Sequence, residues 1–473
     1  MTDRRRWLPW LEIEKSHTCQ LVFWAHLLAY CLDIWVRAEW GEGAQPALRA
    51  AGDFVCWPHF QSCGSWSLFN SIPHGYGHGY WTALKLAAIC GAAVGALRRQ
   101  WSLAYWLSLF LFAEKVLFYF FLEFTGRANF QYYHLPLAFV WLFVPHKDFF
   151  LRLTFCTLYS FAAVAKFSDS WTEGRYFLPL ELGLPLVPFD LIPLATNVVI
   201  VFEIFMSWTL FSKHRILQRA SFWSWLGFHF YSVPLVGVFY PFHCIPALVA
   251  LFGRFETLAS VRRPLGVRVT APGLLAIVAL AGIHSIPHVI PRDVRWTMEG
   301  YQYGLGMFDA NHQCRVEVVA DGREPFVLTS RSATFRCAPY ESWARARQRY
   351  CKEGDQSMAV QYRHDASLNG GPFYRIVDTQ NLCGLAYSFW GGNSWIKTPN
   401  EGAPIVGYPR PNATQRSRAS RPEWKDTVFA DPWVWRTPAI DLTGWGSHLQ
   451  LLYTLLWLLW TPLAVVLIFR GRP

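Results

Sequence analysis

Charge is scarce in this chain. Only 16% of its 473 residues are Asp, Glu, Lys or Arg, against 53% hydrophobic and 17% aromatic. A soluble protein of this length carries more charge and fewer aromatic rings. Nucleotide-handling signatures are also missing: there is no P-loop, no dinucleotide glycine fingerprint and no serine elbow. No CxxC spacing occurs among the cysteines, which argues against zinc, and no metal is expected. The net charge is +11, yet the chain has no basic stripe or nucleic-acid motif, so no nucleic-acid partner is expected. No small-residue cleavage site follows the first apolar run after "MTDRRRWLPWLEIEK", so that run is expected to stay as a membrane helix. There is no internal repeat.

What is abundant is apolar length. Segments 20–36, 77–97, 101–123, 131–145, 149–167, 189–211, 222–253, 270–289 and 448–469 read as membrane segments, because several approach the twenty residues that span a bilayer. The 25 tryptophans and 20 tyrosines suit interfacial belts. Segment 222–253 is too long for one span and carries Pro234, Pro241 and Pro246. Proline blocks a helix interior unless the freed groups find partners, so two helices turning near "VFYPF" are expected.

Charge tests this folding. With Arg4, Arg5, Arg6 and Lys15 in the cytoplasm, the later basic clusters 98–99, 147–152, 213–219, 254–268 and 470–472 share that side only if 222–253 goes out and returns. Segments 37–76, 124–130, 168–188 and 290–447 then lie outside, in a bacterial inner membrane or the endoplasmic reticulum. The fold class is a polytopic α-helical membrane protein with about nine to ten segments, including one hairpin, and a small extracytoplasmic α+β domain. The organisation expected is a helical core over 1–289, an outer domain over 290–447, and a final membrane helix with a basic tail over 448–473.

The outer segment is polar and domain-sized. "CRVEVVADGREPFVLTS" alternates around Asp321-Gly322 as a hairpin does. "YESWARARQRYC" reads as a helix, and 407–424 as a linker with a glycosylation sequon at Asn412. Cys19, Cys31, Cys90, Cys156 and Cys244 fall in or near membrane segments, where cysteine acts as a small hydrophobe. Cys56, Cys63, Cys314, Cys337, Cys351 and Cys383 all fall outside, and an even number in an oxidising compartment favours disulfides. Their connectivity is open at this level.

Ionisable residues in apolar runs are the chemical candidates. Lys166 opens "KFSDSWTEGR" at the outer end of segment 149–167. Burial disfavours the charged form of an amine, so a lysine in a partly dry site can serve as a base; the competing reading is an outward-snorkelling lysine beside Asp169 or Glu173. Glu203 lies mid-segment, either as a proton relay or orienting partner, or as an interhelical hydrogen-bonding group. Glu114 and Lys115 are adjacent, so each needs its own partner. Gln131, His134 and His229 are candidates to line one cavity with Lys166. His74 with His78 and His284 with His288 have i, i+4 spacing but no third ligand, and interface placement is the simpler reading.

"VAKFSDSWTEGRYF" resembles the matching segment of the vitamin K-dependent gamma-carboxylase family, with a lysine, an acidic stretch, Trp, Glu and Gly in that order. "GYQYGLGMFDANHQCRVEVVADGREP" and "SWARARQRYCKEG" are similar to later segments of that family. The resemblance runs over about residues 15–380 and extends to the wider bacterial membrane family with the same helical core. It implies Lys166, His229 and Glu203 as catalytic residues, and Gln131, His134, Trp171 and Phe228 as lining a substrate or quinone pocket. It implies reduced vitamin K, a naphthoquinol, with O2 and CO2 as co-substrates, and a carbon–carbon lyase (carboxylase) and quinone epoxidase activity on a secreted peptide or protein at the lipid surface. It also implies Cys351 paired with Cys56 or Cys63. Gln131 stands where the family has a histidine, and segment 448–469 stands where animal carboxylases have a large β-rich portion. Two alternatives therefore accompany it: a quinol-oxidising or peptide-modifying homologue without carboxylation, and a non-enzymatic maturation or transport factor for a secreted peptide.

Overall fold

The computed structural model describes residues 8–43, 55–61, 76–117, 131–178, 180, 183–212, 214–236, 239–255, 267–290, 292–306, 310–320, 325–330, 337–351, 359–401, 440–442 and 444–470. The chain is mostly helical. In order the helices are α1 (Pro9–Lys15), α2 (His17–Gly43), α3 (Tyr76–Leu97), α4 (Trp101–Val116), α5 (Gln131–Phe143), α6 (Lys147–Val164), α7 (Asp169–Thr172), α8 (Ile192–Thr209), α9 (Arg215–Val236), α10 (Phe239–Phe252), α11 (Val267–Val289), α12 (Val294–Thr297), α13 (Pro339–Tyr350) and α14 (Gly446–Arg470). Among the described residues three stretches are long and apolar enough to cross a membrane: 189–209, 271–289 and 446–469. The shorter apolar helices 82–97 and 240–252 accompany them.

Helix α6 is the axis of the bundle. Every residue from Lys147 to Ala163 except Asp148 is buried, and helices α2, α5, α8, α10, α11 and α14 all pack on it. The peripheral helices show lipid-type surfaces, with Leu275, Val278, Leu455 and Leu459 exposed. The expected hairpin forms as α9 and α10. Proline tolerance explains its place: Pro241 lies in the first turn of α10, where its missing N–H costs nothing.

The domain that follows α12 is a four-stranded antiparallel sheet in the order β2-β1-β3-β4, where β1 is His312–Ala320, β2 Phe326–Ser330, β3 Val360–Leu368 and β4 Tyr374–Thr379. Strands β1 and β2 pair in the expected hairpin, with Val318 opposite Phe326; residues 321–324 between them lie outside the described set. The core is period-two: Val316, Val318, Val360 and Tyr362 point to one face. Helix α13 covers that face with Tyr340, Trp343 and Ala346. Val55 and Trp57, far earlier in the chain, complete this core. Tyr340 hydroxyl donates to the Cys56 carbonyl at 2.6 Å.

Two disulfides close the domain, Cys314–Cys337 and Cys351–Cys383. The second corrects the pairing implied for Cys351. Its partner is Cys383 because α13 ends at Tyr350 beside the chain leaving β4, which brings the two Cα atoms to 5.5 Å. Cys56 is itself disulfide-bonded, and Cys63 lies outside the described residues, as do the linker and Asn412.

Replacing Cys351 and Cys383 together by serine is expected to cost about 2–5 kcal/mol of domain stability, read as a lowered thermal midpoint without loss of helical circular dichroism. A second expectation concerns His364, which is buried under α13 where Ser342 hydroxyl approaches its Nδ1 at 3.2 Å. Burial pushes its pKa from 6.5 down to about 3. Unfolded chains bind the extra proton between those values, so the stability this neutral ring supports is complete above pH 6.5 and falls as pH drops toward 3. The thermal midpoint of His364→Asn, which keeps the acceptor, is expected to vary less over that window than the wild type's.

Candidate functional site

Lys166 follows the last turn of α6, and its side chain turns inward. It is 1% exposed. An ammonium has three donors, and all three are used: Nζ donates to the Ala162 carbonyl at 3.0 Å and to Glu203 Oε1 and Oε2 at 2.9 and 2.7 Å. Nζ also lies 5.4 Å from the centre of the Trp171 ring, within cation–π range. Glu203 is fully buried because α8 turns the stripe Thr196, Asn197, Ile200, Glu203 and Ser207 inward at helical spacing. The opposite face of α8 is lipid-type and carries Leu194, Val198 and Val201. The snorkelling alternative does not hold, since Lys166 points into the bundle and Asp169 and Glu173 have other partners.

The loop after Lys166 is held from three sides. Trp171 Nε1 donates to the Thr196 carbonyl at 2.6 Å and Asn197 Nδ2 donates to the Thr172 carbonyl at 2.7 Å, which ties the loop to α8. Glu173 Oε1 accepts from the Gly444 and Gly446 amides, each at 3.1 Å, which caps the start of α14. A Cβ at 446 would lie 2.6 Å from that oxygen, so a side chain there would displace the Glu173 carboxylate. Gly174 turns the chain at φ +75°, in the left-handed region. From the sheet domain, Asn369 donates to Ser170 at 2.8 Å, Asn311 donates to the Tyr176 carbonyl, and Arg295 pairs with Asp169. Partial burial works to raise the Asp169 pKa, but Arg295 and Arg175 outweigh it and hold the carboxyl below its usual value.

The other expected site residues separate. His229 is buried on α9 and its Nε2 is hydrogen-bonded to Tyr159 hydroxyl, while Nδ1 has no partner. Phe228 packs on Phe202, whose neighbour in the chain is Glu203. Gln131 and His134 belong to a second buried cluster that lies against α2. There Lys115 Nζ donates to Asp33 Oδ2 at 2.6 Å and meets His134 Nδ1 at 2.5 Å. Gln131 Nε2 donates to Asp33 Oδ1 at 3.2 Å, and His243 Nε2 stands 3.9 Å from the same oxygen. Beside it Lys85 pairs with Glu114 at 3.3 Å, so the adjacent Glu114 and Lys115 each take a different partner. A cavity opens next to this cluster; its lining includes His134 but not Lys166, Gln131 or His229.

Asp33, Lys85, His26 and His243 escape the sequence reading, although each is an ionisable residue within an apolar run, the same signal that marks Glu203. His284 is buried against Tyr132 and Phe161, and His74 lies outside the described residues. Among the described residues no group of three or more His, Cys, Asp or Glu is arranged to hold a metal. No family model, no curated protein and no solved structure matches the chain.

Chemically, the Lys166–Glu203 contact allows one proton to cross within the pair. The ion pair then becomes an amine and a carboxylic acid with no change in net charge inside the bundle, which is the cheap way to expose a lone pair in a dry site. Removing one partner of such a buried pair costs about 3–5 kcal/mol, whereas replacing both with apolar groups is often nearly neutral. Lys166→Met and Glu203→Leu are each expected to lower the thermal midpoint, and the double variant to recover most of the loss. Equal losses in single and double variants would show that the pair is not what the site depends on.

Proposed function

We propose that this chain is a multi-pass membrane enzyme in which Lys166 is the base of a quinol-dependent carboxylation of peptide glutamate. The observation that carries the reading is the dry Lys166–Glu203 pair under Trp171. In this reading the membrane segments follow the basic-cluster pattern, with the N-terminus cytoplasmic and the sheet domain on the opposite side of a bacterial inner membrane or endoplasmic reticulum.

The residues around Lys166 suit a naphthoquinol. Trp171, Phe167 and Tyr453 form an aromatic wall, with the last two stacked at 6.0 Å, and a ring hydroxyl offered to Nζ would meet a group already able to hand its proton to Glu203. A reduced naphthoquinone supplies, after deprotonation and reaction with O2, the strong base that takes a glutamate γ-proton so that CO2 can add at that carbon. The chain's part is proton transfer and exclusion of water. Lys166 gives a proton to Glu203, then takes one from the bound hydroxyl. The burial of both side chains keeps competing water out. The outer domain, latched to the same loop through Ser170 and Asp169, is positioned to receive a secreted peptide.

A second reading, quinol oxidation without carboxylation, is favoured by one observation. Gln131 is committed to Asp33 rather than to the Lys166 site. The experiment is reconstitution of purified protein in nanodiscs with reduced vitamin K, O2, labelled bicarbonate and a Glu-containing peptide. Epoxide and labelled peptide are both expected, and a loss of at least about tenfold in both for the folded Lys166→Met/Glu203→Leu variant, the size of a positioned general base. Epoxide without label selects the second reading. Neither product, with wild type and variant alike, would sink both and leave a non-enzymatic maturation role.

A further inference from the structure

The second buried lysine is built differently from the first. Lys166 gives its N–H bonds to a carboxylate and a carbonyl, but Lys115 gives one to an imidazole. That contact fixes the tautomer. A nitrogen that accepts from an ammonium carries no proton, so neutral His134 holds its proton on Nε2. The Nε2–H has no protein acceptor, although His134 is 4% exposed. It borders the cavity between α2, α5 and α10, and His26 and Tyr133 line the same cavity. His26 Nε2 also lacks a hydrogen-bond partner, and the Tyr133 hydroxyl interacts with that of Tyr240 without a hydrogen bond of good geometry. The His26 and His134 rings are 5.0 Å apart.

Two imidazoles and one phenol thus line a single small cavity whose other walls include Val22, Ala29 and Leu251. Buried polar atoms find partners in protein or in ordered water, and a water needs two to four of them. We propose that this cavity is a hydrated proton-exchange site, in which water held by His134, His26 and Tyr133 links the Asp33–Lys115 pair to the tyrosine cluster of Tyr133, Tyr159 and Tyr240. Tyr133 packs on Tyr159 at 5.3 Å, Tyr159 is hydrogen-bonded to His229, and Glu203 acts electrostatically on both tyrosines. A proton accepted from water at one end is matched by one released at the other, so no oxidant or reductant enters. The existence of the site does not rest on the base reading of Lys166.

The test uses the full chain in nanodiscs and two readouts that do not depend on turnover. A cryo-EM map fine enough to show waters is expected to place solvent density within hydrogen-bond distance of His134 Nε2 and of His26 Nε2 or the Tyr133 hydroxyl. A dry cavity, or a protein acceptor on His134 Nε2, overturns the proposal. Thermal midpoints of His26→Phe, Tyr133→Phe and the double variant form a cycle. Shared water makes the double shift smaller than the sum of the singles by roughly 2–4 °C, and additive shifts overturn it. If a variant fails to fold, the wild-type map decides alone. Because neither readout involves quinol, failure here leaves the Lys166 reading to its own assay.

Discussion

An ammonium group inside an apolar helix bundle must spend every one of its donors on the protein, and most of this structure follows from meeting that demand. Solvation lost on burial is several kcal/mol per ion. It is offset only where a carboxylate and carbonyls stand ready in fixed positions. Lys166 obtains them because α6 is packed on all sides, which fixes the Ala162 carbonyl, and because α8 turns Glu203 inward. Lys115 meets the same demand through Asp33 on α2, while Lys85 is held by Glu114 on α4 as an ion pair at 3.3 Å. The bundle is therefore specified by charge pairs as well as by its apolar core.

The loop from Lys166 to Tyr176 is where that demand meets the rest of the chain. Its contacts come from α8, from the start of α14, and from the sheet domain. None of the three belongs to the helix that carries Lys166. Asn369 with Ser170 and Arg295 with Asp169 join the sheet domain to a segment that starts three residues from Lys166. Surface ion pairs contribute little by themselves. The Arg295–Asp169 pair gains from partial burial and from Asp293, which braces the same guanidinium at 2.8 Å.

Local signals in the amino-acid sequence account for much of the fold. The apolar runs fall close to the helices, and three prolines in one overlong run announce the α9–α10 break. The hairpin at Asp321-Gly322 and the helix over "YESWARARQRYC" are legible for the same reason. Pairing between distant segments is not. Asp33 is 82 residues from Lys115, and no local pattern joins them. Cys351 pairs with Cys383 through sheet geometry that the family resemblance does not carry. Val55 and Trp57 enter the core of the sheet domain from a segment that reads only as a loop. Lys166 stands out in the sequence as an ionisable residue ending an apolar run, but which residues surround it depends on helix packing. Gln131 and His134 share its depth in the chain's membrane order and not its cluster.

The two lysine–carboxylate pairs differ in one respect that bears on what each can do. Around Lys166 every donor ends on an oxygen of the protein, so the pair is closed and its proton can move only within it until something binds. Around Lys115 one donor ends on His134 Nδ1, and an imidazole transmits what it receives: a proton arriving at one nitrogen frees the proton on the other. The first arrangement stores a proton in a dry place, and the second passes it on. Tyr159 is bonded to His229 and packs on Tyr133, the chain neighbour of His134. In this fold α5 places Tyr133 and His134 next to each other, and both line the cavity beside the Asp33–Lys115 pair.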